Sequence, residues 1–158
     1  MDSYRRYGPA LLRKAERMLQ NRDDARDVVQ TLFLELLQRG EPTDQLPYLY
    51  RAVTNRCLNL MRDRRTQARL LEQSELALRG LSRTTCEDKA VDLDLLLKLV
   101  RELDSDHCEL LVYRYLDDMS QDEIAELTGI SRKTIGKRLA RARDAVLRLS
   151  DLPLRGEA

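Results

Sequence analysis

Residues 119–149, MSQDEIAELTGISRKTIGKRLARARDAVLRL, constrain the fold most, because they spell two short helices joined by a tight turn. Ser120 stands three residues before Glu123, the spacing of a capping box at a helix start. Ile124, Ala125 and Leu127 give that helix an inward face, and Gly129 supplies the left-handed residue that ends it. Ser131 caps a second helix on which Ile135, Leu139, Ala142, Val146 and Leu149 recur at helical spacing. Its other faces carry Arg132, Lys133, Lys137, Arg138, Arg141, Arg143 and Arg148 against one acid, Asp144, so the helix is +6. A helix pair with a cationic second member suits the DNA major groove, which admits one helix. Basic amphipathic helices also bind membranes and acidic partners; the capped turn favours duplex DNA.

The whole chain is all-α in pattern, since every long segment has a helical period and β-branched runs are absent. A first helix is expected from Ser3 to Gln20, turning Tyr4, Tyr7, Leu11, Ala15 and Met18 to one side. A second follows the turn at Asn21–Asp23 and reaches Gln38, burying Val28, Val29, Leu32, Phe33, Leu36 and Leu37, with Gly40 closing it. After the turn-rich loop 40–46, a third helix with Pro47 in its first turn runs to about Arg65. It has an apolar stripe of Leu49, Val53, Cys57 and Leu60 and a polar stripe of Arg51, Asn55, Asn59 and Arg62. Tyr48 and Tyr50 open this helix, and Arg62, Arg64 and Arg65 crowd its end. Amides, rings and arginines in that order suit single-stranded or melted DNA, and equally fit a solvated helix face with partly buried tyrosines. Beyond a linker at 66–90, helices are expected over Val91–Leu103 and Ser105–Leu116, the latter burying Leu110, Leu111 and Tyr115.

Charge divides the chain in the same way. The total of 28 Lys and Arg against 27 Asp and Glu hides a +4 segment at 51–65 and a −4 segment at 66–110. Two basic patches separated by an acidic stretch imply two nucleic-acid contacts. No run is apolar enough to span a membrane, and the N-terminal stretch carries charges through its apolar positions, so a cytoplasmic protein is expected. Cys57, Cys86 and Cys108 share no C-x-x-C spacing and read as reduced thiols. His107 reads as a surface residue. With no phosphate loop or nucleophile–base set, neither an enzyme nor a cofactor or metal is expected.

Taken together, the motifs resemble a bacterial sigma factor of the extracytoplasmic-function (ECF) group, which keeps only regions two and four. Asp24-Ala-Arg-Asp-Val-Val-Gln30 with Phe33 is similar to the region-two D-A-x-D-L-V-Q-x-x-F, and Tyr48-Leu-Tyr-Arg51 with Asn55 to W-L-Y-R-I-A-x-N. Region four resembles Leu103, Glu109, Arg114-Tyr-Leu116, Met119-Ser120, Glu123-Ile-Ala125, Gly129-Ile-Ser131, Thr134-Ile135, Arg138-Leu139 and Arg141-Ala-Arg143. Thr31 stands where an acid is usual, Tyr48 where tryptophan is common, and Gly136 and Ala140 where larger side chains are frequent.

The resemblance implies two small helical domains, region two at 1–65 and region four at 91–158, joined by the 66–90 linker. It implies core RNA polymerase as partner through Asp27, Val29, Gln30, Phe33 and Leu34, with Phe33 also fitting the domain core. A flipped base of the −10 element would meet Thr43, Asp44, Gln45 and Tyr48, while Arg51, Asn55, Asn59 and Arg62 follow the strand. The −35 duplex would meet Arg132, Lys133, Thr134, Gly136, Lys137, Arg138, Ala140 and Arg141, with Arg138 and Arg141 suited to phosphates or packing. An anti-sigma factor is the expected regulator. The alternative is a sigma mimic that binds an anti-sigma factor without activating transcription, against which the retained +6 helix counts; a plain helix-turn-helix repressor leaves Asp24–Gln30 unexplained.

Overall fold

The computed structural model describes residues 2–40, 45–75 and 102–150, all helices and their connections, with no strand among them. Thr43, Asp44, Cys86, the linker beyond residue 75 and nearly all of the expected Val91–Leu103 helix lie outside the described residues. Helices α1 (Asp2–Leu19), α2 (Arg22–Arg39) and α3 (Leu46–Glu75) form the first unit. Helix α4 (Ser105–Leu111) runs directly into a π-helical turn, Val112–Leu116, followed by α5 (Gln121–Thr128) and α6 (Arg132–Ser150).

Local chemistry sets the boundaries. Asn21 caps α2 by accepting from the amides of Asp23 and Asp24 at 3.0 and 3.2 Å, and Gly40 closes it at φ +65°. In α3 no such stop follows Arg65, and the helix continues ten residues past the expected end, through Glu75. Asp104 caps α4 through the amide of His107 at 3.0 Å. The expected continuous helix to Leu116 widens at Val112, and the Asp117 amide donates to Val112 O at 3.0 Å. A π turn takes up an extra residue and rotates later side chains off the α-helical stripe. Tyr113 is therefore the buried ring, whereas Tyr115, expected inside, is 58% exposed.

In the first unit Leu11, Ala15, Met18, Val29, Leu32, Leu36, Leu49, Val53 and Cys57 pack together. Leu37, expected in this core, is exposed on the far side of α2, and Leu58 and Met61 of α3 are buried in addition to the expected stripe. This core does not stop at the first unit, since Cys108 and Val112 belong to the same cluster. The second cluster joins Leu110, Leu111, Tyr113, Ile124, Ile135, Leu139 and Ala142, with Tyr50 of α3 packed against it. The two units therefore meet along an apolar seam and do not hang apart on their linker. Burial pushes the Cys57 thiol up to about 12 and that of Cys108 to about 11, which keeps both protonated and unreactive.

Candidate nucleic-acid interface

The helix-turn-helix is built as its residues dictate. Ser120 Oγ accepts from the Glu123 amide at 3.2 Å while Glu123 Oε2 accepts from the Ser120 amide at 2.7 Å. The hydrogen bond from the Ser120 amide to the ionised carboxylate holds Glu123 below its ordinary pKa. Gly129 turns the chain at φ +70°, where a side chain is strained, and its amide donates to Ala125 O at 2.9 Å. Ser131 accepts from the Thr134 amide at 3.3 Å to start α6. Ile124, Ile135 and Ala142 are completely buried and Leu139 nearly so, which fixes the rotation of α6. Arg132, Lys133, Lys137, Ala140 and Arg141 consequently face solvent, with Thr134, Gly136 and Arg138 half-buried. Arg132 has one loose ion pair with Asp122 at 3.4 Å, both side chains 68% exposed, and such a pair holds little energy. Arg138 turns the other way, 3.5 Å from Asp106 of α4.

The polar stripe of α3 is placed differently. Gln45 and Tyr48 are exposed, Asn59 is exposed, and Asn55 is half-buried. Pro47, Tyr48, Arg51, Ala52 and Asn55 line an open cleft of about 370 Å³ whose remaining wall is Leu127 of α5. Arg51 Nε donates to Glu109 Oε1 at 2.8 Å, and Arg51 Nη1 reaches Thr128 O at 3.5 Å. Glu109 is buried and also accepts from Tyr113 Oη at 2.7 Å. The hydrogen bond to Glu109 raises the Arg51 pKa, and burial pushes that of Tyr113 well above the usual phenol range. Arg62 donates to Ser105 Oγ and, at 3.3 Å, to Leu103 O. Arg64, expected among the phosphate-holding cluster, pairs with Asp24 at 2.6 Å and ties α3 to α2. Asp24 of the D-A-R-D motif is thus a helix-to-helix tie.

A second set of residues, of which only Tyr50 was singled out from sequence, surrounds Lys14. Its ammonium bonds Asp117 Oδ2, both side chains almost fully buried, and lies 4.3 Å from the Tyr50 ring centre and 5.4 Å from that of Tyr113. The two rings are stacked at 5.9 Å, and Arg17 adds a 2.8 Å bond to Asp117 Oδ1. Burial lowers the Lys14 pKa despite the pull of Asp117 in the other direction. The sequence did carry a signal: Lys14 falls inside the α1 stripe between Leu11 and Met18, where an apolar residue is the norm.

On α2, Asp27, Gln30 and Leu34 are exposed together with Leu37. These four lie along one face of the helix. Val29 and Phe33 point inward, 2% and 7% exposed, into the core of their own domain. Among the described residues no helix is long and apolar enough to cross a membrane.

A three-helix unit followed by a helix-turn-helix whose second helix exposes Arg132, Lys133, Lys137 and Arg141 is the architecture of a DNA-binding protein. The family model for sigma-70 region 2 matches residues 3–67 and that for sigma-70 region 4 matches residues 93–146. The chain is similar to RNA polymerase sigma factor SigV of Bacillus subtilis, 27% identical over 128 residues, which cover 78% of this chain and 74% of that protein. In fold it is similar to the sigma factor RpoE of Bartonella quintana, solved with the anti-sigma factor NepR, at a TM-score of 0.51 and 21% identity over 91% of each chain. The chain belongs to the sigma-70 family, in its ECF group. It is a sigma factor, a family that binds core RNA polymerase and promoter DNA in transcription initiation.

Proposed function

We propose that this sigma factor directs core RNA polymerase to its promoters by reading the −35 duplex with α6 and opening the −10 element with region two. The observation that carries this reading is the orientation of α6: Ile135, Leu139 and Ala142 are buried, which turns Arg132, Lys133, Lys137 and Arg141 outward together. Side chains so placed reach base edges and phosphates in the major groove. In region two, Tyr48 offers a ring to an unstacked base and Asn55 an amide in the same cleft, and Gln45 is exposed just before α3. Extruding a base costs a few kcal/mol, and such a cleft offsets part of that cost. Asp27, Gln30, Leu34 and Leu37 form the surface offered to core polymerase, and Val29 and Phe33 support it from behind. The likeness in fold to a sigma factor held by an anti-sigma factor supports the same kind of regulator here.

Run-off transcription with core polymerase on a promoter library tests this directly. Wild-type protein should select a set of promoters, and Lys133→Ala with Lys137→Ala should lower their use without moving the melting curve. Loss of a base contact should cost about 1–3 kcal/mol of preference at one site, and loss of a phosphate contact should flatten the salt dependence. Failure to stimulate any template would leave the mimic as the better reading.

A further inference from the structure

Two small residues on α6, Gly136 and Ala140, stand where a reading helix would be expected to carry larger side chains. They lie one turn apart on one flank of the helix, next to Lys133 and Lys137 of the outward row. Neither reaches past a Cβ, so together they leave a notch beside the exposed cations.

A side chain from the other helix of the pair enters that notch. Gln121, the first residue of α5, holds its carboxamide over the bare Cα of Gly136, with Oε1 3.6 Å from where a Cβ would stand. A Cβ alone is tolerated there, whereas a longer side chain would take the place of the amide. The first turn of α5 meets the same flank again where Asp122 pairs with Arg132, one turn before Gly136. Gln121 is half-buried, and among the described residues its amide has no hydrogen-bond partner. It is therefore a positioned donor and acceptor with both functions unused. A glutamine amide so presented in the major groove matches adenine, accepting from N6 and donating to N7.

We propose that Gln121 is a specificity-determining residue of the −35 contact, reading an adenine from α5 through the notch that Gly136 and Ala140 leave in α6. The proposal rests on the reading of α6 as the −35 helix. The recognition surface then includes one residue outside the recognition helix, and the glycine is what admits it.

Selection from a randomised duplex pool by the full-length protein with core polymerase tests this, with preference read position by position from the bound sequences. Substitutions at Gln121 leave the Ser120–Glu123 capping box in place, and an acid in a first turn suits the helix dipole, so melting curves should not move. Wild type is expected to favour adenine at one position, and Gln121→Ala to weaken that preference about fivefold or more with other positions unchanged. Gln121→Glu should shift the preference towards cytosine, whose N4 amine donates to a carboxylate. Gly136→Met should lose the same adenine preference, and adding Gln121→Ala to it should change nothing further. Position-by-position preferences that stay intact in Gln121→Ala overturn the proposal; if affinity falls equally for all sequences, the residue holds a phosphate instead. If wild type selects no sequence, or Lys133→Ala with Lys137→Ala alters neither affinity nor preference, the α6 reading itself fails and takes the proposal with it.

Discussion

The two candidate DNA faces of this sigma factor contrast in what their cations do. On α6, Lys133, Lys137 and Arg141 are exposed, and the one charge partner of Arg132 is as exposed as Arg132 itself. On α3, Arg51, Arg56, Arg62 and Arg64 are all engaged, two with region four and two with α2. Both helices look alike as sequence, each with an apolar stripe and basic residues around it. What separates them is neighbours: α6 is the last helix described and packs by one stripe, whereas α3 lies between α1 and α2 on one side and α4 and α5 on the other. A charged stripe is therefore a binding face only where no other element reaches it first.

Substitutions at the seam and in the helix-turn-helix should separate these cases. The largest effect is expected from Asp117→Ala, which leaves the Lys14 ammonium buried with only rings around it. Removing one partner of a buried pair costs about 3–5 kcal/mol. Differential scanning calorimetry should show the transition falling and dividing into two, one for each region; a single unshifted transition would mean that the seam contributes nothing to stability. Next comes Ile135→Ala, at about 2–4 kcal/mol for a fully buried side chain. Urea unfolding followed through region four should report it, with α1–α3 unaffected once the seam is open.

Gly136→Ala sharpens the α6 side of the comparison. A Cβ there meets only Gln121 Oε1, at 3.6 Å, an ordinary contact. The protein itself gives no packing reason for the glycine, so alanine should stabilise the fold by about 0.5–1 kcal/mol. If duplex binding falls in the same variant, the glycine serves close approach of the backbone to DNA; unchanged binding would show that it does not. The smallest effect is acid sensitivity of the helix caps. Asp104 and Glu123 are held below their ordinary values of 3.8 and 4.5 by hydrogen bonds from the His107 and Ser120 amides. Their folded pKa values are depressed, so the stability they contribute is present above the unfolded values and is lost as pH falls through the folded ones. Thermal melts from pH 6 downward should be flat until about pH 4.5 and decline below it. Ser120→Ala and Asp104→Ala should flatten that decline.

Much of this was legible in the sequence because it is local. The capping box at Ser120, the turn at Gly129, the Gly40 end of α2 and the Ile135, Leu139 and Ala142 part of the α6 stripe each depend on residues a few positions apart, and each formed as read, whereas Asn21, read as part of a turn, is the N-cap of α2. The boundary at Arg65 was not legible, because nothing at that point stops a helix. Tyr115 and Tyr113 exchanged places because one π turn shifts the phase, and periodicity assumes a constant pitch. The partners of Arg51, Arg62 and Lys14 are 41 to 103 residues away, and no pattern along one sequence pairs a carboxylate with an arginine across such a gap. Even so, a lysine within the buried stripe of α1 was a visible irregularity.

The contrast between an open α6 and a covered α3 is tested most directly by measuring binding of the free protein to a −35 duplex and to a single-stranded −10 oligonucleotide, with and without core polymerase. The −35 duplex should bind in both cases, and the single strand should bind strongly only when core is present. Equal single-strand affinity with and without core would contradict it.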